Sequence, residues 1–155
     1  MGKLAVVRIR SGINARGDVK KTLNLLRLTR VNHCVVVDDD PSTLGMIKKA
    51  KDYITWGEVD PKTLEYLLRK RGRLSGNRPL TDDFIRSKTE FSGIDGLAAA
   101  LCAGEIRFED VPGLKKVFRL HPPRKGYKST KRPVGDLGDL GYRGRRINEL
   151  IMRMA

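Results

Sequence analysis

The chain has 155 residues, of which 32 are Lys or Arg and 18 are Asp or Glu, giving a net charge of +14 with only 6% aromatic residues. That length holds one ordinary domain, or a small aliphatic core with an extension, and no apolar run approaches the roughly 18–20 residues that cross a bilayer. Cations in this excess repel one another in a compact state and draw in polyanions, phosphate above all.

The first apolar run, LAVVRIR (4–10), is rich in β-branched residues and reads as a buried strand. The loop SGINARG follows, then Val19, Thr22, Leu23 and Leu26 mark one face of a helix. HCVVVD (33–38) is a second strand. Asp40 before Pro41 is a helix start, with Leu44 and Ile47 on the inner face. YITWGEV (53–59) is a third strand, with Tyr53, Thr55 and Gly57 on one side and Ile54, Trp56 and Glu58 on the other.

Asp60-Pro61 repeats the helix start, and Leu64, Leu67 and Leu68 line a face that stops at Gly72. RGRLSGNRP (71–79) reads as a basic linker. Thr81 caps a short helix holding Phe84 and Ile85. Ile94, Leu97, Ala98 and Leu101 form another stripe, closed by Gly104. KVFRLH (116–121) is a short strand, and it feeds HPPRKGYKSTKRP (121–133), which holds five cations and no acid. In GDLGDLGYRG, glycines 135, 138, 141 and 144 recur every third residue, giving a thin backbone that can pass close to another surface. Ile147, Leu150, Ile151 and Met154 make an amphipathic terminal helix.

Little in the chain points to catalysis. His33 and Cys34 are adjacent, but a strand sends them to opposite faces and no second pair exists for a metal. Cys34 and Cys102 read as small buried hydrophobes outside any disulfide. The run DDD (38–40) falls where turn formation and capping account for it. SGINARG is neither a dinucleotide nor a Walker loop, although Arg10 and Arg16 flank a strand-to-helix turn on which a phosphate can rest. No metal, cofactor or small-molecule substrate is expected. The start meets Arg8 too early for a secretory leader and lacks the sixth-position Ser or Thr of a myristoylation signal, so a cytoplasmic protein is expected.

Residues 22–54 resemble the large-subunit ribosomal protein thirty family, related to the eukaryotic large-subunit protein seven. The matching features are Leu23, Leu26 and Leu28 leading to Arg30, then His33 and Val35, and later Met46, Ile47, Ala50, Tyr53 and Ile54. GEVDPKTLEYLLRKRG, GIDGLAAALCAGE and RLHPPRKGYK resemble the extension of the long archaeal type, without the basic N-terminal arm of the eukaryotic relatives. The resemblance implies an α+β fold, ferredoxin-like in outline: a β-α-β-α-β layer over residues 1–60, with a three-stranded sheet and two helices on one face. Residues 61–155 would then form a mostly helical extension, with an RNA-binding loop at 121–133 and a C-terminal helix. It further implies a structural, non-catalytic constituent of the large ribosomal subunit. The ribosomal RNAs of the 23S and 5S type and neighbouring ribosomal proteins would be its partners.

On this reading the sheet face away from the two helices, the strand-to-helix loops and the extension meet RNA, mostly through phosphate and 2′-hydroxyl. The candidate contacts are Arg8, Arg10, Asn14, Arg16, Arg30, Asn32 and His33, then Arg124, Lys125, Tyr127, Lys128, Lys131, Arg132, Arg143 and Arg145. Tyr127 is a candidate to stack on a base or sugar. Two alternatives stand beside it. An RNA-processing or RNA-modifying protein would use the same basic surface and need an acid-base pair such as His33 and Asp38. A membrane-surface or protein-docking module would use RRINELIMRM.

Overall fold

The computed structural model describes residues 3–11, 15–127, 133–134 and 138–155. Asn14, Lys128, Lys131, Arg132 and Gly135 lie outside the described residues, as do Gly12 and Ile13 of the SGINARG turn. The first half of the chain contains β1 (Lys3–Arg8), α1 (Gly17–Leu25), β2 (His33–Asp38), α2 (Pro41–Lys49) and β3 (Ile54–Glu58). The second half adds α3 (Pro61–Arg71), β4 (Arg73–Leu74), β5 (Arg78–Pro79), α4 (Asp82–Lys88), α5 (Ile94–Ala103), β6 (Val117–Arg119), β7 (Gly141–Tyr142) and α6 (Ile147–Met154).

The fold is α+β, and the three expected strands form the middle of the main sheet. Its order is β6-β2-β1-β3-β7. β1 pairs antiparallel with β2 and β3, and β2 pairs antiparallel with β6. β7 adds to β3 in parallel. β1 is buried on both faces, which is why its sequence runs apolar instead of alternating. Leu4 and Val6 join α1 and α2 residues such as Val19, Leu23 and Ile47 in one cluster. Ala5, Val7 and Ile9 join Leu64, Leu67, Leu97, Leu101, Ile147 and Ile151 in the other.

The second cluster corrects one expectation. The sheet face opposite α1 and α2 is not free for RNA: α3, α5 and α6 cover it. An aliphatic sheet face left in water would forgo about 1.5–3 kcal/mol for each large side chain it fails to bury, and the extension supplies the cover. Gly57 shows how close the cover lies. A Cβ there would sit 1.8 Å from the Gly144 carbonyl oxygen. The thin backbone at Gly144 thus passes close to this protein's own sheet.

Local signals account for most helix ends. Asp40 and Asp60 accept from the amides of Thr43 and Thr63, each at 2.7 Å, with Pro in the first turn. Thr81 accepts from the Phe84 amide, and Gly104 takes the left-handed conformation at φ 79° that ends α5. Gly72 stops α3 for another reason: a Cβ would lie 2.4 Å from the Leu68 oxygen. The stretch expected to be a linker is instead the β4–β5 hairpin, turned by Gly76 and Asn77 at φ 82° and 62°.

Candidate nucleic-acid interface

The strand directions sort the charges. β1 ends where β2 and β3 begin and where β6 ends, because all three pairings are antiparallel. One end of the sheet therefore gathers Arg8, Arg10, Arg30, Asn32, His33, Arg119 and the segment after His121. The other end carries Asp38, Asp39, Asp40, Glu58 and Asp60, together with Lys3, Arg145 and Arg146. Asp18 and Asp52 also fall in connections at the basic end, and Asp18 is held by Arg16 at 3.4 Å and Lys49 at 3.7 Å.

At the basic end, His33 stands in register with Arg119 across β2–β6, one step beyond the Val7–Cys34 pair that places Arg8 on its other side. Burial, and then Arg119, Arg30 and Arg8, push its pKa below the ordinary 6.5, so the ring is neutral near pH 7. Its Nδ1 is buried and has no hydrogen-bond partner among the described residues. Arg8 is itself buried, and burial lowers its pKa. Its Nε donates to the Arg10 carbonyl at 3.1 Å and one Nη to the Leu28 carbonyl at 2.8 Å. This side chain fastens two loops and shapes the end of the sheet from inside. Arg10 lies 5.3 Å from the centre of the Tyr53 ring, a cation–π contact.

The first half of the basic segment is held by the protein itself. The amides of His121 and Arg124 donate to the carbonyls of Met154 and Arg153, each at 3.1 Å. These are oxygens at the C-terminal end of α6, which lack partners within the helix. His121 Nε2 lies 3.0 Å from an oxygen of Ala155, and Arg153 donates to the Gly126 carbonyl at 2.8 Å. Lys125 and Gly126 form a left-handed turn at φ 66° and 71°. The Tyr127 hydroxyl donates to Asn32 Oδ1 at 2.8 Å while its ring packs on the core. Burial raises its pKa, so it stays a donor. Tyr127 and Asn32 thus pin the segment to the β1–β2 end, and Arg124 and Lys125 project into solvent.

Arg143 and Arg145 lie elsewhere. β7 runs parallel to β3, so both follow Tyr142 towards Glu58. Arg143 is largely buried: its Nε donates to Thr55 Oγ1 at 2.8 Å and one Nη to Asp139 Oδ1 at 2.9 Å. Arg145 is exposed beside Asn148, which bonds both Glu58 and Asp60.

The pairings required by the alternatives are not assembled. His33 and Asp38 are the two ends of a six-residue strand, roughly 16 Å apart at about 3.3 Å per residue. The apolar stripe of α6 is fully spent inside: Ile147, Leu150, Ile151 and Met154 are each 2% exposed or less. Among the described residues no group of His, Cys, Asp and Glu could hold a metal ion, and no helix is long and apolar enough to cross a membrane. Both cysteines are free thiols, and burial pushes that of Cys34 up to about 12.

Sequence reasoning missed Arg119, Arg27, Arg73, Lys115 and Lys116, which surround His33 in a common cavity. Nothing local marks Arg119. It comes to His33 only through the β2–β6 register.

A three-layer scaffold with a cluster of arginines at one sheet end, unpaired among the described residues, has the charge to attract a polyanion. Comparison with known proteins gives that class a family. Residues 4–54 match the profile of ribosomal protein L30p/L7e. The large ribosomal subunit protein uL30 of Methanocorpusculum labreanum is 53% identical over 150 residues, covering 97% of this chain and 98% of that one. Those of Methanoregula boonei and Methanopyrus kandleri are 54% and 48% identical, over 97% and 94% of this chain and 98% and 99% of theirs. The chain belongs to the L30p/L7e (uL30) ribosomal protein family.

Proposed function

We infer that this protein is a structural, non-enzymatic constituent of the large ribosomal subunit, located in the cytoplasmic ribosome, where it binds and stabilises ribosomal RNA. The family supports the subunit. The charge sorting across the sheet is the observation that carries the mode of binding. The basic end meets RNA through Arg10, Arg16, Arg30, Arg119, Arg124 and Lys125, with His33 among them. Asn14, Lys128, Lys131 and Arg132 belong to the same two loops and are assigned with them. Arg8, Asn32, Tyr127 and Arg143 serve by holding those loops and the sheet in place, and Arg145 is a separate, peripheral contact.

The finer partners are RNAs of the 23S and 5S type together with neighbouring ribosomal proteins. Residues 1–60 would supply the core that positions the basic end, and 61–155 the extension that covers the sheet and carries the second loop. Placement of RNA by backbone contact explains why many cations and few base-reading side chains are arrayed here.

The experiment is a salt titration of binding to large-subunit RNA. With six to ten phosphates engaged, affinity falls by about 10³–10⁵ between about 50 and 200 mM salt. A flat response overturns the reading.

A further inference from the structure

We propose that the cavity at the β6 edge of the sheet receives one unstacked nucleotide of the bound RNA, with its phosphate on Arg27, Lys115 and Arg119 and its base over Val117. The proposal deepens the ribosomal RNA reading and rests on it.

The cavity measures about 620 Å³ and lies between the exit of α1, the β4–β5 hairpin and β6. Five cations line it, and among the described residues no carboxylate does. Two of the cations are engaged within the protein: Lys116 pairs with Glu109 at 2.5 Å, and Arg73 donates to the Gly72 carbonyl at 3.0 Å. Arg27, Lys115 and Arg119 make no ion pair or side-chain hydrogen bond among the described residues, and all three are exposed. Three cations converging on an open space without an internal counter-charge are arranged for an anion from outside.

A phosphate alone would leave most of this space empty, because cavities of about 300–1,000 Å³ accommodate whole small ligands. The remaining lining suits a base. Half-buried Val117 gives an apolar surface for a ring face. Asn24, Thr29, Asn77 and neutral His33 bring donors and acceptors for a base edge. A base paired in a duplex cannot reach such a lining. One extruded from a bulge or loop can, and proteins read RNA chiefly at such bases.

The test uses the full chain and three RNA hairpins, measured by fluorescence anisotropy at about 50 mM salt. One carries a single bulged 2-aminopurine, one an abasic site in the same bulge, and one a fully paired stem. The bulged base should bind about tenfold tighter than the abasic site, within the range of base–protein stacking, with a change in 2-aminopurine emission. Val117→Ser with Asn77→Gly, at the base contacts, should remove that preference, whereas Lys115→Gln with Arg119→Gln should weaken the bulged and abasic hairpins together. Arg124→Gln, outside the cavity, should weaken all three hairpins alike. Equal binding of the bulged and abasic hairpins, or a preference that survives the Val117 and Asn77 substitutions, overturns the nucleotide site alone. Absence of salt-sensitive binding to all three overturns it together with the ribosomal RNA reading.

Discussion

The two ends of the sheet are built from the same strands and do opposite electrostatic work. At the acidic end nearly every carboxylate has an internal task. Asp40 and Asp60 cap helices, Asp38 pairs with Lys3, and Glu58 accepts from the Tyr142 hydroxyl at 2.5 Å. The amide of Thr43 holds the Asp40 carboxyl below its usual range. At the basic end, Arg30, Arg119, Arg124 and Lys125 have no ion pair among the described residues, and the positive charge is left uncompensated. Between these two ends, most of the negative charge is engaged by the fold and most of the positive charge is not. A net charge of +14 alone could not have said so, because it does not distinguish cations that hold the fold from cations that await an anion.

The strongest way to break this contrast is to neutralise each end. Arg30→Gln, Arg119→Gln and Arg124→Gln together should lower the log–log salt slope of RNA binding by about three. They should also weaken binding by roughly 10²–10³ near 0.1 M salt, with urea denaturation unchanged. Asp39→Asn at the opposite end should leave affinity nearly unchanged, since charges beyond about 10 Å are screened at that salt.

Arg143 sharpens the contrast, because it is a cation with an internal task. Arg143→Met removes one partner of a carboxylate that is only 7% exposed. It should cost about 1–3 kcal/mol in urea denaturation while leaving the salt slope intact. If the slope falls by one and stability holds, Arg143 belongs with the RNA contacts after all. A smaller effect is due at Tyr127→Phe, which loses the hydroxyl bond to Asn32 and should cost about 1 kcal/mol.

His33 gives the smallest change, and its sign is fixed by its surroundings. Its folded pKa is below the ordinary 6.5, so below that pH the unfolded chain takes up more protons than the folded one. The contribution is therefore full above about pH 6.5 and is lost as pH falls through the folded value. His33→Gln should flatten the stability profile between pH 7 and 5, as read by urea titration at each pH. A profile as steep as the parent's would clear His33 of the effect.

Much of this architecture was legible where the controlling interaction is local. The two Asp-Pro starts, the Thr81 cap and the Gly104 stop depend on residues three or four apart. HCVVVD (33–38) and the inner faces of α1, α3, α5 and α6 followed from periodicity. Strand order was not legible, because β7 exists through Thr55 meeting Gly141 and β6 through Cys34 meeting Phe118. The hairpin at 73–79 did carry a signal, the Gly76-Asn77 pair between short extended stretches, which the basic composition obscured.

The candidate site divides in the same way. Arg10, Arg16, Arg30 and Arg124 were visible as cations in loops. The internal roles of Arg8, Tyr127 and Arg143 were not, since Leu28, Asn32 and Asp139 reach them only through tertiary packing. From sequence, a cation that fastens the fold looks the same as one left waiting.

One consequence follows from where His121 and Arg124 find their hydrogen-bond acceptors. The seat for the 121–127 turn is the far tip of α6, which lies later in the chain than every other helix. A growing polypeptide that has reached residue 130 already contains all the letters of this turn but has nothing to hang it on. The 121–127 turn gains its shape retroactively, from residues added some twenty or more positions downstream. Shortening or capping that tip should therefore act on the turn at a distance.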